Sequence, residues 1–177
     1  MILVDTNVVI RSYEAAAALV EPDARARGDT AKIRDRIDER WRSLLQAGEV
    51  GTVEEVLEEI KREPSLRWKR MVERDFKDCI HKQTTQYYDY LAKVGKFVEH
   101  NWCESDAEAF SKNAADPHSI AMAAAHGCAV ATLETHSPPH VDASGKFRGK
   151  VSLPYVAWRF GVRCATIYEL FTAPGRP

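Results

Sequence analysis

The chain has 177 residues, 45% of them hydrophobic and 29% charged, and its 25 Lys and Arg against 26 Asp and Glu leave a formal charge of -1. These proportions fit one globular domain and exclude a disordered or fibrous chain. A balance so near neutral supplies no overall basic field, so a polyanion would have to be met by a local patch or through metal ions.

The four cysteines, Cys79, Cys103, Cys128 and Cys164, contain no close pair and read as small buried hydrophobes in a reducing compartment. Residues 1–5 lack a basic n-region, and the most apolar stretch, Ile120 to Leu133, is too short for a membrane span. Both features predict a cytoplasmic protein with no anchor.

In chain order, Ile2-Leu3-Val4 is an unbroken apolar run that suits a strand buried on both faces, with Asp5 at its carboxyl end. Residues 21–29, with Pro22 and Gly28, read as a loop. From Thr30 to Ala47, Ile33, Ile37, Trp41, Leu44 and Leu45 recur at helical spacing, and Gly48 is suited to end that helix. Thr52 and Glu55 form a capping box opening a helix whose core face is Val53, Val56, Leu57 and Ile60, and Pro64 interrupts or ends it.

The next two helices are predicted over about 66–80 and 85–102, with core candidates Trp68, Met71, Val72, Phe76, Tyr87, Tyr90, Leu91, Val94 and Val98, and no strand signal between them. Ser105 caps a short helix to about Asn113. Asp116 and Pro117 restart one as N-cap and first helical residue, and Gly127 ends it. Strands follow at 128–132 and 162–166, separated by a long loop over 135–150 and a helix over 154–160 closed by Gly161. A helical turn at 167–171 precedes a polar tail, 172–177. Strands alternating with helices predict one domain over 1–171, a three-layer α/β/α arrangement around a parallel sheet of about four strands.

Ligands of open parallel sheets bind beyond the carboxyl ends of the strands. Asp5 and Glu134 stand at two such ends, and Asp116 opens the helix that leads into the second strand. On the 53–60 helix, a wheel places Glu54 and Glu59 at roughly 110° from the apolar centre and Glu55 and Glu58 at about 150°, facing solvent. Glu54 suits the helix dipole, which leaves Glu59 without a structural explanation. Clustered carboxylates repel one another unless a cation is present, and oxygen-only ligands in this number suit Mg²⁺ or Mn²⁺.

The opening ILVDTNVVI, the acidic helix ending at Glu59-Ile60, the segment ADPHSIAMAAAHG at 115–127 and the strand VATLE at 130–134 together resemble the PIN domain. This is a family of metal-dependent ribonucleases that includes toxins of toxin–antitoxin systems, and the likeness is closest to a branch with an extended helical middle. The resemblance implies that Asp5, Glu59, Asp116 and Glu134 are the four acids that bind one or two Mg²⁺ or Mn²⁺ ions. It further implies that Thr6, Asn7 and Thr132 orient ligands and water, that RNA is the substrate and that an antitoxin protein is the partner.

Two departures stand out. Glu134 replaces the more usual Asp, and Leu133 sits where the family often has a polar residue. Asp5 after a buried strand also suits a haloacid-dehalogenase-like phosphatase, although Asn7 occupies the place of that pattern's second Asp. A non-catalytic PIN-like binding module is the third reading.

Other candidates carry less. His136 and His140 flank Pro138-Pro139, which forbids the helix a zinc motif needs, and they read as solvated. His118 reads as a surface histidine at a helix start. Lys61, Arg62, Arg67, Lys69, Arg70 and Arg74 form a basic run, and Lys146, Arg148 and Lys150 a second, each able to contact phosphates. Trp68, Tyr87 and Tyr88 of the helical middle are candidates for contact with the partner or with a second copy of the chain.

Overall fold

A computed structural model describes residues 1–13, 15, 29–63, 70, 72–112 and 115–172. The strands are β1 (Ile2–Val4), β2 (Val50–Gly51), β3 (Ala129–Ala131), the hairpin β4 (His140–Val141) and β5 (Phe147–Arg148), and β6 (Cys164–Ala165). The helices are α1 (Thr6–Ile10), α2 (Thr30–Gln46), α3 (Glu54–Arg62), α4 (Thr85–Asn101), α5 (Glu104–Lys112), α6 (Ala115–His126), α7 (Leu153–Arg159) and α8 (Ile167–Thr172).

Four strands form an all-parallel sheet in the order β2-β1-β3-β6, flanked by helices as a three-layer α/β/α domain. Ile2 pairs with Val50 on one side and Ala129 on the other, so β1 lies inside the sheet. That position explains its composition, because a central strand covered on both faces has no solvent side to make polar; Leu3 and Val4 are buried, as are Val130 and Ala131 of β3. Helix α6 lies on β1 and β3, with α4 packed along it. Its small residues Ala121 and Ala123 are fully buried there and allow the close approach. Trp41 of α2 meets Phe76 at 5.9 Å and Phe171 of α8 at 5.5 Å, joining three segments far apart in sequence.

Several elements differ from the sequence expectation. Strand β2 lacks a sequence signal because two residues, Val50 and Gly51, are too few to display a period, and its pairing with β1 is what makes it a strand. Helix α1 also goes unread in the sequence. Thr52 is no N-cap: Val53 takes that position without a side-chain cap bond, and the Thr52 hydroxyl turns into the sheet to donate to the Val4 carbonyl at 3.4 Å. The helix ends at Arg62, and Glu63 is extended, as a residue before proline prefers.

The helix expected over 66–80 is, in its described part, a π turn at Val72–Phe76 followed by a 3₁₀ turn at Lys77–Cys79. Ser105 lies inside α5, and α6 begins one residue early, at Ala115, so Asp116 is a first-turn residue. The long loop contains the β4–β5 hairpin. Asp142 pins it, accepting from the Ser144 and Lys146 amides at 2.8 and 3.0 Å and from Arg148 Nε at 2.7 Å. All four cysteines are free and half-buried rather than buried. The expectations on Trp68, Met71, Arg67, Lys69, most of the 21–29 loop and the end of the tail lie outside the described residues. Among the described residues, no helix is long and apolar enough to cross a membrane.

Candidate active site at the carboxyl edge of the sheet

From β1 the chain passes to β2 on one side and later to β3 on the other, which makes the carboxyl ends of β1 and β3 a topological switch point. Asp5 follows β1 there, its amide donating to the Ala131 carbonyl at 3.1 Å. The side chain is buried at 3% exposure, and Oδ2 accepts from Thr132 Oγ1 at 3.3 Å. The same threonine oxygen accepts from the Glu134 amide at 3.1 Å, which sets the turn that carries Glu134. On the other flank, Thr6 Oγ1 donates to Glu59 Oε2 at 2.6 Å, tying α1 to α3. Asp116 in the first turn of α6 is 6% exposed.

Burial pushes the Asp5 carboxyl up to about 6, with Glu134 and Glu59 adding repulsion against the lowering hydrogen bonds of Thr6 and Thr132. Burial pushes Asp116 further, to about 8, and Asp5, Glu134 and Glu59 repel it while Lys150 opposes them. The four acids thus share one electrostatic neighbourhood. They are not closed into a cage: among the described residues, no three Asp, Glu, His or Cys side chains stand close enough to enclose a metal ion.

Glu134 has both oxygens engaged. Oε1 pairs with Lys150 Nζ, and Oε2 accepts from the Leu153 amide of α7 at 3.0 Å. The extra methylene of Glu over Asp gives the reach for both contacts. Asn7, one residue beyond Thr6, is exposed and takes no part in these hydrogen bonds.

A neighbouring cluster overturns two sequence expectations, those on Glu55 and His118. Glu55 is half-buried, not solvent-facing, and its Oε1 lies 2.7 Å from His118 Nδ1, while its Oε2 is buried without a hydrogen-bond partner among the described residues. His118 is half-buried rather than a surface residue; Tyr87, with its hydroxyl on the same Nδ1, is fully buried, as expected of a core candidate, and so presents nothing to a partner. Burial holds the His118 pKa below its usual value, against the pull of Glu55, and raises that of Tyr87. A wheel drawn on one helix cannot see this cluster, because α4 and α6 supply the wall that buries the far flank of α3. Tyr88, by contrast, is 54% exposed, and His136 and His140 are exposed as expected.

The fold and the acidic edge define an α/β/α domain that gathers carboxylates at the switch point of a parallel sheet. The chain belongs to the family DUF4411, a domain of unknown function, whose model matches residues 33–175. That span includes Glu59, Asp116, Thr132 and Glu134 and leaves out Asp5, Thr6 and Asn7. The chain matches no curated protein and no solved structure.

Proposed function

We propose that the chain is a Mg²⁺- or Mn²⁺-dependent endoribonuclease of PIN-like type. The observation that carries this reading is the pair Asp5 and Asp116, buried at the switch point with their pKa values raised to about 6 and 8. Burying carboxylates against further carboxylates is costly unless a cation offsets the charge. An oxygen-only donor set fits a hard divalent ion, and Mg²⁺ needs no protein cage, since it binds through one or two carboxylates and completes its shell with water and phosphate oxygens. Asp5, Glu59 and Asp116 would hold it, one or two of them directly and the rest through its water shell. When bound, one or two such ions acidify a water and offset the charge developing on the phosphodiester.

The rest is done by the chain's own side chains. Thr132 fixes the Asp5 carboxylate, Thr6 fixes that of Glu59, and the α6 first turn keeps Asp116 out of bulk water. Glu134 assists after giving up Lys150. Asp5→Asn or Asp116→Asn abolishes cleavage of single-stranded RNA in Mn²⁺ while the circular dichroism spectrum is unchanged. Undiminished cleavage by purified Asp116→Asn protein overturns the reading.

The resemblance to toxins extends the proposal to a cytoplasmic protein neutralised by an antitoxin that places an arginine or lysine among the acids. The Lys150 contact with Glu134 supports the idea that this edge accepts an ammonium group. Tyr88 is available to the antitoxin or to a second copy of the chain. A non-catalytic binding module is the second reading, favoured by the double engagement of Glu134. Absence of Mg²⁺ and Mn²⁺ binding in titration calorimetry selects it.

A further inference from the structure

Beside the acidic edge, the segment from Leu133 to Ser152 encloses a groove of about 510 Å³ whose lining includes Glu134, Ser137, His140, Arg148, Lys150 and Ser152. It shares Glu134 with the candidate active site. Two of its members are cations of the loop, of which Lys150 bears on that edge. Lys150 pairs with Glu134 and has a side chain 74% exposed, and Arg148 is held through Nε by Asp142. The Ser152 hydroxyl is buried and has no hydrogen-bond partner among the described residues.

One wall of the groove leads to an aromatic ledge. His136, between the lining residues Thr135 and Ser137, packs its ring 6.0 Å from that of Trp158 and 5.7 Å from that of Tyr155. Trp158 is 59% exposed, with the Arg159 guanidinium 5.7 Å from its ring. An exposed tryptophan alone is ordinary on a protein surface. A large exposed ring next to a cationic, hydroxyl-lined groove that opens on a carboxylate centre is a different arrangement, because those parts answer the base, the phosphate and the ribose of one nucleotide.

We propose that this groove and Trp158 form a subsite for one nucleotide of single-stranded RNA flanking the scissile phosphate, with Lys150 and Arg148 on the backbone phosphate and Trp158 stacked on the base. The inference rests on the nuclease reading for what lies next to the subsite, but its own contacts need no metal. The carboxylates of this edge repel a phosphate brought to it. Lys150 is the group that offsets them, turning from Glu134 to the incoming anion. Stacking requires an unpaired base, which excludes duplex RNA.

The experiment uses the intact chain and a fluorescein-labelled oligouridylate of about eight nucleotides, a length within the range of single-strand sites. Anisotropy is read in Ca²⁺ and in EDTA. Binding that Trp158→Ala weakens about tenfold and Trp158→Phe largely restores is the expected result, the size being that of one base stack. Lys150→Ala weakens binding and flattens its dependence on salt.

Both side chains are exposed, so the variants fold as the parent does. Wild-type affinity in both Ala variants, equal competition by an RNA hairpin stem, or no binding in either buffer overturns the subsite. RNA that binds in this way but is never cut in Mn²⁺ removes the nuclease reading and leaves the subsite. RNA that is cut with a KM indifferent to both variants does the reverse.

Discussion

Asp116 and Asp5 carry the strongest physical signal at the residue scale, since each is raised first by burial and then by the other acids. A carboxyl whose folded pKa exceeds its unfolded value binds its proton more tightly in the native state. The stability it lends is then complete below the unfolded value of 3.8 and is lost as pH rises through the folded one. In EDTA, the melting temperature therefore falls as pH climbs from about 4 to 8, most steeply between about 4 and 6, where Asp5 and Asp116 both contribute, less steeply from 6 to 8, where Asp116 contributes alone, and it levels off above 8. On the proposed metal-dependent reading, Mn²⁺ restores it at pH 8, because an ion held by the folded chain alone stabilises that state. Thermal melts across this range, with Asp116→Asn as the flattened control, check the sign; a melting point that rises toward pH 8 in EDTA contradicts it. Thr6 offers a second test. Its hydroxyl holds Glu59 at 2.6 Å, so on the proposed nuclease reading, in which Glu59 binds the metal, Thr6→Val lowers RNA cleavage by roughly 10–100-fold and Thr6→Ser restores most of it.

At the scale of elements, a single side chain, Asp142, fastens the β4–β5 hairpin. Asp142 takes four hydrogen bonds, from Ser144 twice, from the Lys146 amide and from Arg148, and its pKa lies well below the usual carboxylate range for that reason, with the Ser144 hydroxyl foremost. Asp142→Ala unfastens residues 140–148 with little effect on the global unfolding midpoint. Hydrogen exchange is the measurement: loss of protection confined to the hairpin is expected, and unchanged protection there sinks the argument. This element carries Arg148 into the groove next to Glu134, so loosening it also reaches the candidate site.

For the whole molecule, one aromatic junction connects what the chain separates. Trp41 is 1% exposed, touches Phe76 and Phe171 and donates to Ser12 Oγ at 3.2 Å. Trp41→Ala removes a buried ring that its surroundings cannot refill and costs about 3–5 kcal/mol. Urea unfolding followed by circular dichroism reads this as a lower midpoint with an unchanged slope. A shift under 1 kcal/mol would mean that α2 and α8 dock independently of that ring.

The sequence by itself determined what depends on neighbours along the chain. The period of Ile33, Ile37, Trp41, Leu44 and Leu45 specified α2, which Gly48 ends in a left-handed conformation at φ 66°. An all-apolar β1 implied a parallel sheet covered on both faces, and the acids at strand ends implied which edge of that sheet to inspect. Tertiary structure alone decided what depends on elements meeting. Two-residue β2 exists only because β1 pairs with it, since so short a segment carries no period and its hydrogen bonds come from a distant strand. Glu55 faces away from the apolar stripe of its own helix yet is half-buried, because α4 and α6 bring Tyr87 and His118 against it. Glu134 meets Lys150 and the α7 amide only once the hairpin has folded back. Charge and burial at that edge are properties of the space between elements, and a linear pattern has no coordinate for that space.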